Sequence, residues 1–385
     1  MAEKRKDSRG RLLKDGEVQR SDGSYMFRYT DIHRKRKYVY SRSLEELRKK
    51  EDIIRRDLFD GIDYAAGETT VYELAERYLK TKKKLSENTR RAYGIALARI
   101  KIEDFGEKRI CDVKKSDAKL FFLSLHDSGL KQNTIEIFQT LLRPAFEMAV
   151  DDDMIRKNPF KFHLSEFIPD DADKRNALTK AQQTQYLNFI HTNGDNNYYY
   201  DIVILLGTGL RISELYGLTK KDVNMKDRCI YIDKQLCRTA EQPYFIKEPK
   251  TKSGIRCIPM TEPVYYAFKH VLDNRPKPRI EKNVDGYSGF LFLDKSGMPK
   301  VGMHIQNYMR NMQKKYQRQY GGNVPKVTPH VLRHTFCTNA QQAGIDVKSL
   351  QYLMGHSTAS VTLDVYSHTD FDAVKQAFSR VASSL

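Results

Sequence analysis

No stretch of the chain approaches the ~18 consecutive apolar residues that a membrane span needs, and its charged, polar start holds no signal-peptide core. These absences predict a cytoplasmic protein. Cysteine is scarce: Cys111, Cys229, Cys237, Cys257 and Cys337 are odd in number, widely spaced and form no Cys-x-x-Cys pair. That pattern excludes a disulfide scaffold and a zinc ribbon, and predicts reduced packing thiols with no metal. Internal repeats and low-complexity tracts are also missing. Acid is the deficit with the widest consequence: 49 Asp and Glu face 67 Lys and Arg, a formal net charge of +18. Such an excess favours a polyanionic partner, nucleic acid first, with salt-sensitive association. A dispersed basic protein and a basic membrane-surface protein are the alternatives on charge alone. With 385 residues, 40% of them hydrophobic, the chain is not disordered overall and has material for two or three cored domains.

Residues 1–63 open with a charged arm, followed by short β-prone runs at 16–20, 25–29 and 37–40, separated by Ser21-Asp22-Gly23-Ser24 and His33-Arg34-Lys35-Arg36. A three-stranded meander is expected. It is too thin to stand without the helix that Leu44, Leu47, Ile54 and Leu58 predict over 44–58. A basic sheet of this kind can lie in a DNA groove, with Arg28, Lys35, Arg36 and Lys37 as candidates; an α+β module with a solvated basic face is the other reading. Residues 69–157 carry helical spacing in four segments, among them one begun by Ser86-Glu87-Asn88-Thr89 and one running from Lys131 to Val150. Lys83, Arg90, Arg91 and Lys131 lie near helix starts, where phosphates are readily met or where a solvated surface needs charge. Residues 158–177, with Asn158-Pro159 and Pro169-Asp170-Asp171, read as a connector. Residues 178–385 read as mainly helical with a small antiparallel sheet, in which Tyr244–Ile246 and Ile255–Ile258 are joined across Lys247–Gly254. The fold class expected is therefore multidomain and mainly α.

One stretch concentrates chemistry. In Pro329-His330-Val331-Leu332-Arg333-His334, helical spacing puts two imidazoles and a guanidinium on one face, with Leu332 and Phe336 anchoring another. A zinc helix is disfavoured, since position 331 is Val rather than a general-base Glu and Arg333 sets a fixed positive charge beside the cation. A phosphodiester suits the trio better: the arginine fork matches two phosphate oxygens, and a histidine can donate to the same group or take a proton.

Five blocks, in order and spacing, resemble the tyrosine recombinases of the phage-integrase family: Gly207-Thr208-Gly209-Leu210-Arg211-Ile212-Ser213-Glu214-Leu215; Thr251-Lys252-Ser253-Gly254-Ile255-Arg256-Cys257-Ile258-Pro259; His330-Val331-Leu332-Arg333-His334; Leu353-Met354-Gly355-His356; and Tyr366. They span about half the chain. The helical segment before them resembles that family's core-binding domain, and the N-terminal sheet resembles the arm-binding domain of conjugative-transposon integrases. The resemblance implies a site-specific recombinase, integrating and excising a mobile element without metal, ATP or other cofactor. It implies that Tyr366 attacks the scissile phosphate to leave a 3′-phosphotyrosyl link, that Arg211 and Arg333 hold the non-bridging oxygens, and that His330 takes the tyrosine proton. Lys252 would protonate the departing 5′-oxygen and His356 would add a hydrogen bond. Lys250 competes with Lys252, and the spacing to Arg256 and Pro259 favours Lys252. Glu214 is expected to pair with an arginine or orient a histidine, and His334 to support the helix face. The partners implied are double-stranded DNA at core and arm sites, three further copies in a homotetramer, and an excisionase or DNA-bending protein, with the nucleoid as the location. Residues 371–381 carry an apolar stripe, which the resemblance implies belongs to a helix exchanged between neighbours; packing within its own subunit is the other reading. A type IB-like topoisomerase and a catalytically silent DNA-binding regulator are the competing functions.

Overall fold

The structure is a computed structural model that describes residues 5–31, 34–62, 68–171, 176–194, 196–239, 241–249, 252–321 and 324–358, with the backbone alone at 196, 197 and 252. The chain falls into two compact units, Met1–Asp173 and Lys174–Leu385.

In the first unit, strands β1 (Glu17–Gln19), β2 (Tyr25–Thr30) and β3 (Arg36–Ser41) form an antiparallel meander in the order β1-β2-β3. The two-residue side-chain period of a strand puts Tyr25, Phe27 and Tyr29 on one face, where they pack against Leu44, Leu47 and Ile54 of α1 (Leu44–Phe59). Ser43 caps α1 by accepting from the Glu46 amide. The opposite face stays open and carries Arg28, paired with Tyr38, and Thr30, paired with Arg36.

Helices α2 (Val71–Thr81), α3 (Glu87–Ile102), the single-turn α4 (Asp104–Glu107), α5 (Lys115–Asp127) and α6 (Gln132–Asp151) follow. Thr70 and Glu73 close a reciprocal capping box on α2, and Ser86 caps α3. The four long helices are those the spacing predicts; in α5, Phe121 and Phe122 are buried while the neighbouring Leu120 is 62% exposed. Pro144 sits inside α6 and has no N–H to give the Thr140 carbonyl, which the Tyr93 hydroxyl approaches at 3.4 Å instead. The connector expected at 158–177 needs correction over its first half. Phe160, Phe162, Leu164 and Ile168 are buried in the helical core, and Asn158 ties the segment back to the Arg143 carbonyl at 2.8 Å. Pro159 interrupts the helix period without taking the segment out of the fold.

The second unit packs α7 (Lys180–Asn193), α8 (Asn196–Thr208), α9 (Ile212–Gly217), α10 (Glu262–Asp273), α11 (Gly302–Tyr320), α12 (Pro329–Gln342) and α13 (Val347–Met354) around short strands. Its core runs from Leu178 through Ile202 and Leu215 to Phe268, Phe290 and Leu332. The strands are β4 (Val223–Asn224), β5 (Cys229–Ile232), β6 (Gln235–Cys237), β7 (Phe245–Lys247) and β8 (Arg256–Pro259). They form two antiparallel sheets, β4-β5-β8 and β6-β7. The expected hairpin across 247–254 is therefore corrected. Strand β7 returns on β6, whose Gln235-Leu236-Cys237 carries no β-prone run, while β8 pairs with β5 in the register Ile230 to Ile258. Residues Lys252–Gly254 form one 3-10 turn leading into β8.

Candidate active site

Helix α12 begins where the sequence says it should. Thr328 caps it by accepting from the Val331 amide, and Pro329, with no N–H to leave unpaired, takes the first position. The three polar residues of its first turns then diverge. His330 is exposed and His334 is half-buried, its Nδ1 3.4 Å from the Thr338 hydroxyl. Arg333, expected to share their outward face, is only 7% exposed, because it points between α12 and the elements packed on it. Its guanidinium donates to the Gly209 carbonyl and the Met354 carbonyl.

Arg211 is the cap residue of α9. Its own amide donates to Glu214 at 2.8 Å, and its guanidinium donates to Glu214 at 2.7 Å and to the Gly355 carbonyl at 3.2 Å. Glu214 is 1% exposed, and its second arginine partner is Arg256 at the start of β8. The Arg256 side chain has no exposed surface. It donates to Glu214 at 2.8 and 3.3 Å, to the Gly254 carbonyl at 3.0 Å and to the Leu353 carbonyl at 2.8 Å. The sequence used Arg256 only as a spacing marker; nothing local marks a partner 42 residues upstream.

These bonds share a destination. Three consecutive carbonyls at the end of α13, Leu353, Met354 and Gly355, accept from Arg256, Arg333 and Arg211 in turn. The carbonyl end of a helix carries partial negative charge and leaves its last acceptors unsatisfied, so it can gather cations that would otherwise repel one another. Gly355 makes the approach possible. Its φ of +61° is the left-handed cap conformation, and a Cβ there would come within 2.8 Å of the Arg256 guanidinium. Gly209 is similarly constrained: its φ is +64°, and a Cβ would meet the Phe336 ring at 2.4 Å.

The electrostatics are unbalanced. Among the described residues, the ion pairs of Arg211 and Arg256 both end on Glu214, and Arg333 has carbonyl partners. Burial pushes the Glu214 carboxyl up, but the Arg256 hydrogen bond and the charges of Arg256 and Arg211 outweigh it and hold it below the usual range. Burial, then the charges of Arg211 and Arg256, depress the Arg333 guanidinium to about 9, so it stays charged at neutral pH at an electrostatic cost. His356, half-buried one residue beyond Gly355, is pushed down to about 4 by burial and then by Arg333, Arg211 and Arg256. It is neutral at pH 7. Among the described residues, three clustered guanidiniums, one carboxylate and a histidine kept from charging leave the site short of an anion.

Tyr366, Lys250 and residues 371–381 lie outside the described residues, as does the side chain of Lys252. The backbone of Lys252 is placed two residues before the Gly254 carbonyl that Arg256 holds. In the first unit, Arg28, Lys35 and Arg36 are exposed, with Arg28 and Arg36 on the open face of the sheet. Lys37 pairs with Tyr29 and belongs to the other face, so the basic cluster is split by the strand period. Lys83, Arg90, Arg91 and Lys131 are exposed; Arg90 and Arg91 fall in the first two turns of α3, and Lys131 stands at the residue before α6.

Among the described residues no helix is long and apolar enough to cross a membrane. Residues 176–373 match the phage integrase family, and residues 1–58 match the DNA binding domain of tn916 integrase. The transposase from transposon Tn916 of Enterococcus faecalis is 39% identical over 99% of this chain and 97% of its own length. A Tn1549 transposon integrase fragment, a tyrosine-to-phenylalanine variant in complex with transposon right end DNA, is 40% identical. It covers 82% of this chain and 100% of its own, with a TM-score of 0.76. A lambda integrase tetramer bound to a Holliday junction shares the fold, with a TM-score of 0.53 at 16% identity over 91% of this chain and 95% of its own. The motifs, the clustered arginines and these likenesses agree: the chain belongs to the phage integrase family of tyrosine recombinases, with conjugative-transposon integrases among its relatives.

Proposed function

We infer that this protein is the integrase of a transposon, a site-specific recombinase that cuts and rejoins DNA through a covalent tyrosine intermediate. The observation that carries the reading is the charge deficit at the end of α13, where Arg211, Arg256 and Arg333 converge with Glu214 as their carboxylate. A scissile phosphate supplies the missing charge, and its extra negative charge in the pentavalent transition state is bound more tightly still, which is what accelerates the step. Tyr366 Oη attacks phosphorus, the bond to the 5′-oxygen breaks, and a 3′-phosphotyrosyl link forms. His330, exposed on the first turn of α12, accepts the tyrosine proton, and Lys252 protonates the 5′-oxygen. Arg211 and Arg333 bind the non-bridging oxygens, His356 adds a hydrogen bond, Glu214 fixes Arg211, and His334 steadies α12. The bond energy is kept in the phosphotyrosine, so resealing needs no nucleotide.

Around that centre, Arg28 and Arg36 on the open sheet face, with Lys35 in the adjoining turn, suit an arm-site groove. Lys83, Arg90, Arg91 and Lys131 suit the phosphates of the core site. Lys37 is a backbone-phosphate contact at most, given its face. The working assembly is a homotetramer on two duplexes, joined by an exchanged segment at 371–381 and assisted by an excisionase or bending protein, in the bacterial nucleoid. The N-terminal match to a transposon integrase DNA-binding domain favours this reading over a type IB topoisomerase. The experiment is a nicked suicide duplex from the element's ends. Wild-type protein should accumulate a covalent adduct at one nucleotide, whereas Tyr366→Phe should bind the duplex and form none. An adduct surviving in Tyr366→Phe would place the nucleophile elsewhere.

A further inference from the structure

Arg256 is a fully buried guanidinium to which the chemistry above gives a share of the local charge and no step of its own. Its bonds reach three pieces of the site at once. Glu214 carries it to the phosphate-binding Arg211, and the Leu353 carbonyl carries it to the helix end that also holds Arg333 and precedes His356. The Gly254 carbonyl carries it to the turn that bears Lys252. Gly254 also packs closely on Pro249, where an added Cβ would stand 2.3 Å from the proline side chain. A planar guanidinium with donors fixed in a fork can impose one relative placement on the groups it bonds, which a flexible lysine stem cannot.

We propose that Arg256 is a positioning residue that sets Lys252 against the leaving 5′-oxygen, by locking the Lys252–Gly254 turn to the same scaffold that orients Arg211. This rests on the reading of Lys252 as the general acid. Arg256 touches no DNA; it acts through Gly254 on the acid and through Glu214 on the phosphate clamp. Loss of Arg256 therefore costs rate by two routes, and one of them depends on how badly the leaving group needs a proton. A 5′-bridging sulfur leaves as a thiolate and needs none.

The test compares cleavage of an ordinary duplex with cleavage of one carrying sulfur at the scissile 5′-bridging position, for full-length wild type, Lys252→Ala and Arg256→Lys. Arg256→Lys keeps the buried charge beside Glu214 and lacks the fork. Its cleavage of ordinary DNA should fall on the order of 100-fold, within the range that general acid catalysis supplies, with DNA affinity unchanged. Sulfur should return at least about tenfold of that loss. Should Arg256→Lys fail to fold, judged by its melting profile and DNA binding, Glu214→Gln with Arg256→Met removes both charges together and leaves no lone buried carboxylate. The sulfur duplex should then be cut at least about tenfold faster than the ordinary one relative to wild type. An equal deficit on both duplexes, alongside rescue of Lys252→Ala, would overturn the positioning role while leaving Lys252 as the acid. Absence of rescue in Lys252→Ala would instead overturn the acid assignment, and the proposal with it.

Discussion

Two arginine-rich clusters in this protein look alike in sequence and differ in what surrounds them. In the N-terminal domain the carboxylates are the buried partners. The side chains of Asp7 and Glu17 have no exposed surface and that of Glu51 has 1%, while Arg11, Arg48 and Arg55 reach in from the surface, one to each acid. At the end of α13 the guanidiniums of Arg256 and Arg333 are buried, that of Arg211 is a third exposed, and one carboxylate serves Arg211 and Arg256. In the first cluster each acid has its own arginine, although one buried oxygen of Glu51 stays without a partner and burial raises that carboxyl. Burial raises Asp7, but the Arg11 backbone and guanidinium and the Tyr25 hydroxyl hold it at about 2, as expected of a satisfied acid. In the second, Arg333 and His356 are both pushed away from their charged forms. The contrast teaches that arginine content does not mark a functional site, whereas buried cations in excess of their anions do.

The largest expected effect breaks the comparison directly. Arg333→Ala should lower strand cleavage on the order of 10³-fold or more, as removal of preorganised transition-state donors does, and leave thermal stability near or above wild type because it deletes an unbalanced buried cation. Arg48→Met should do the reverse. It strands Glu17 without its guanidinium, at a cost on the order of 2 kcal/mol in urea unfolding, and leaves cleavage by DNA-saturated protein unchanged. A shared outcome for the two variants would erase the distinction. Next in size is Gly355→Ala, where a Cβ must displace the Arg256 guanidinium and the left-handed backbone costs about 1–2 kcal/mol. Cleavage should drop about 100-fold through lost alignment, measured as single-turnover rate at saturating DNA.

A smaller effect sharpens the same contrast through protons. In the protein without DNA, burial and then the neighbouring arginines hold His356 at about 4, below its ordinary 6.5. Its folded value is depressed, so the unbound protein loses stability as pH falls from about 6.5 towards 4, where the unfolded chain takes a proton that the folded one refuses. A bound phosphate reverses the local field and raises the group. DNA binding near pH 5.5 should therefore take up a proton, read by calorimetry in two buffers of different ionisation heat, and His356→Asn should abolish the uptake. Proton release on binding would contradict the charge deficit.

Much of this was legible beforehand, and for local reasons. The three-stranded meander, the four long helices of 69–157 and the helix start at Ser86 depend on spacing within one or two turns. So do the residues of the family motifs. What stayed hidden is tertiary. Strand β8 pairs with β5 rather than β7 because burial of Ile230 and Ile258 decides the register, and the intervening Gln235–Cys237 offers β7 a nearer partner. Phe160 and Phe162 fill the helical core although Pro159 punctuates the sequence before them. Arg256 bonds to residues 42 and 97 positions away, and no local pattern reports that it shares a helix end with Arg333 and Arg211. Lys37 was grouped with Arg36 by adjacency, which the alternation of a strand undoes.

The central claim is that, among the described residues, the cluster at the end of α13 holds more positive than negative charge and that the scissile phosphate is the anion that offsets it. A duplex with a neutral methylphosphonate at the scissile position tests this most directly, with wild type, Arg333→Ala and Arg211→Ala cutting it and an ordinary duplex. If the arginines serve to balance phosphate charge, each variant's deficit on ordinary DNA should shrink by at least about tenfold on the neutral analogue. An undiminished deficit on the methylphosphonate would show that charge balance is not what these arginines contribute.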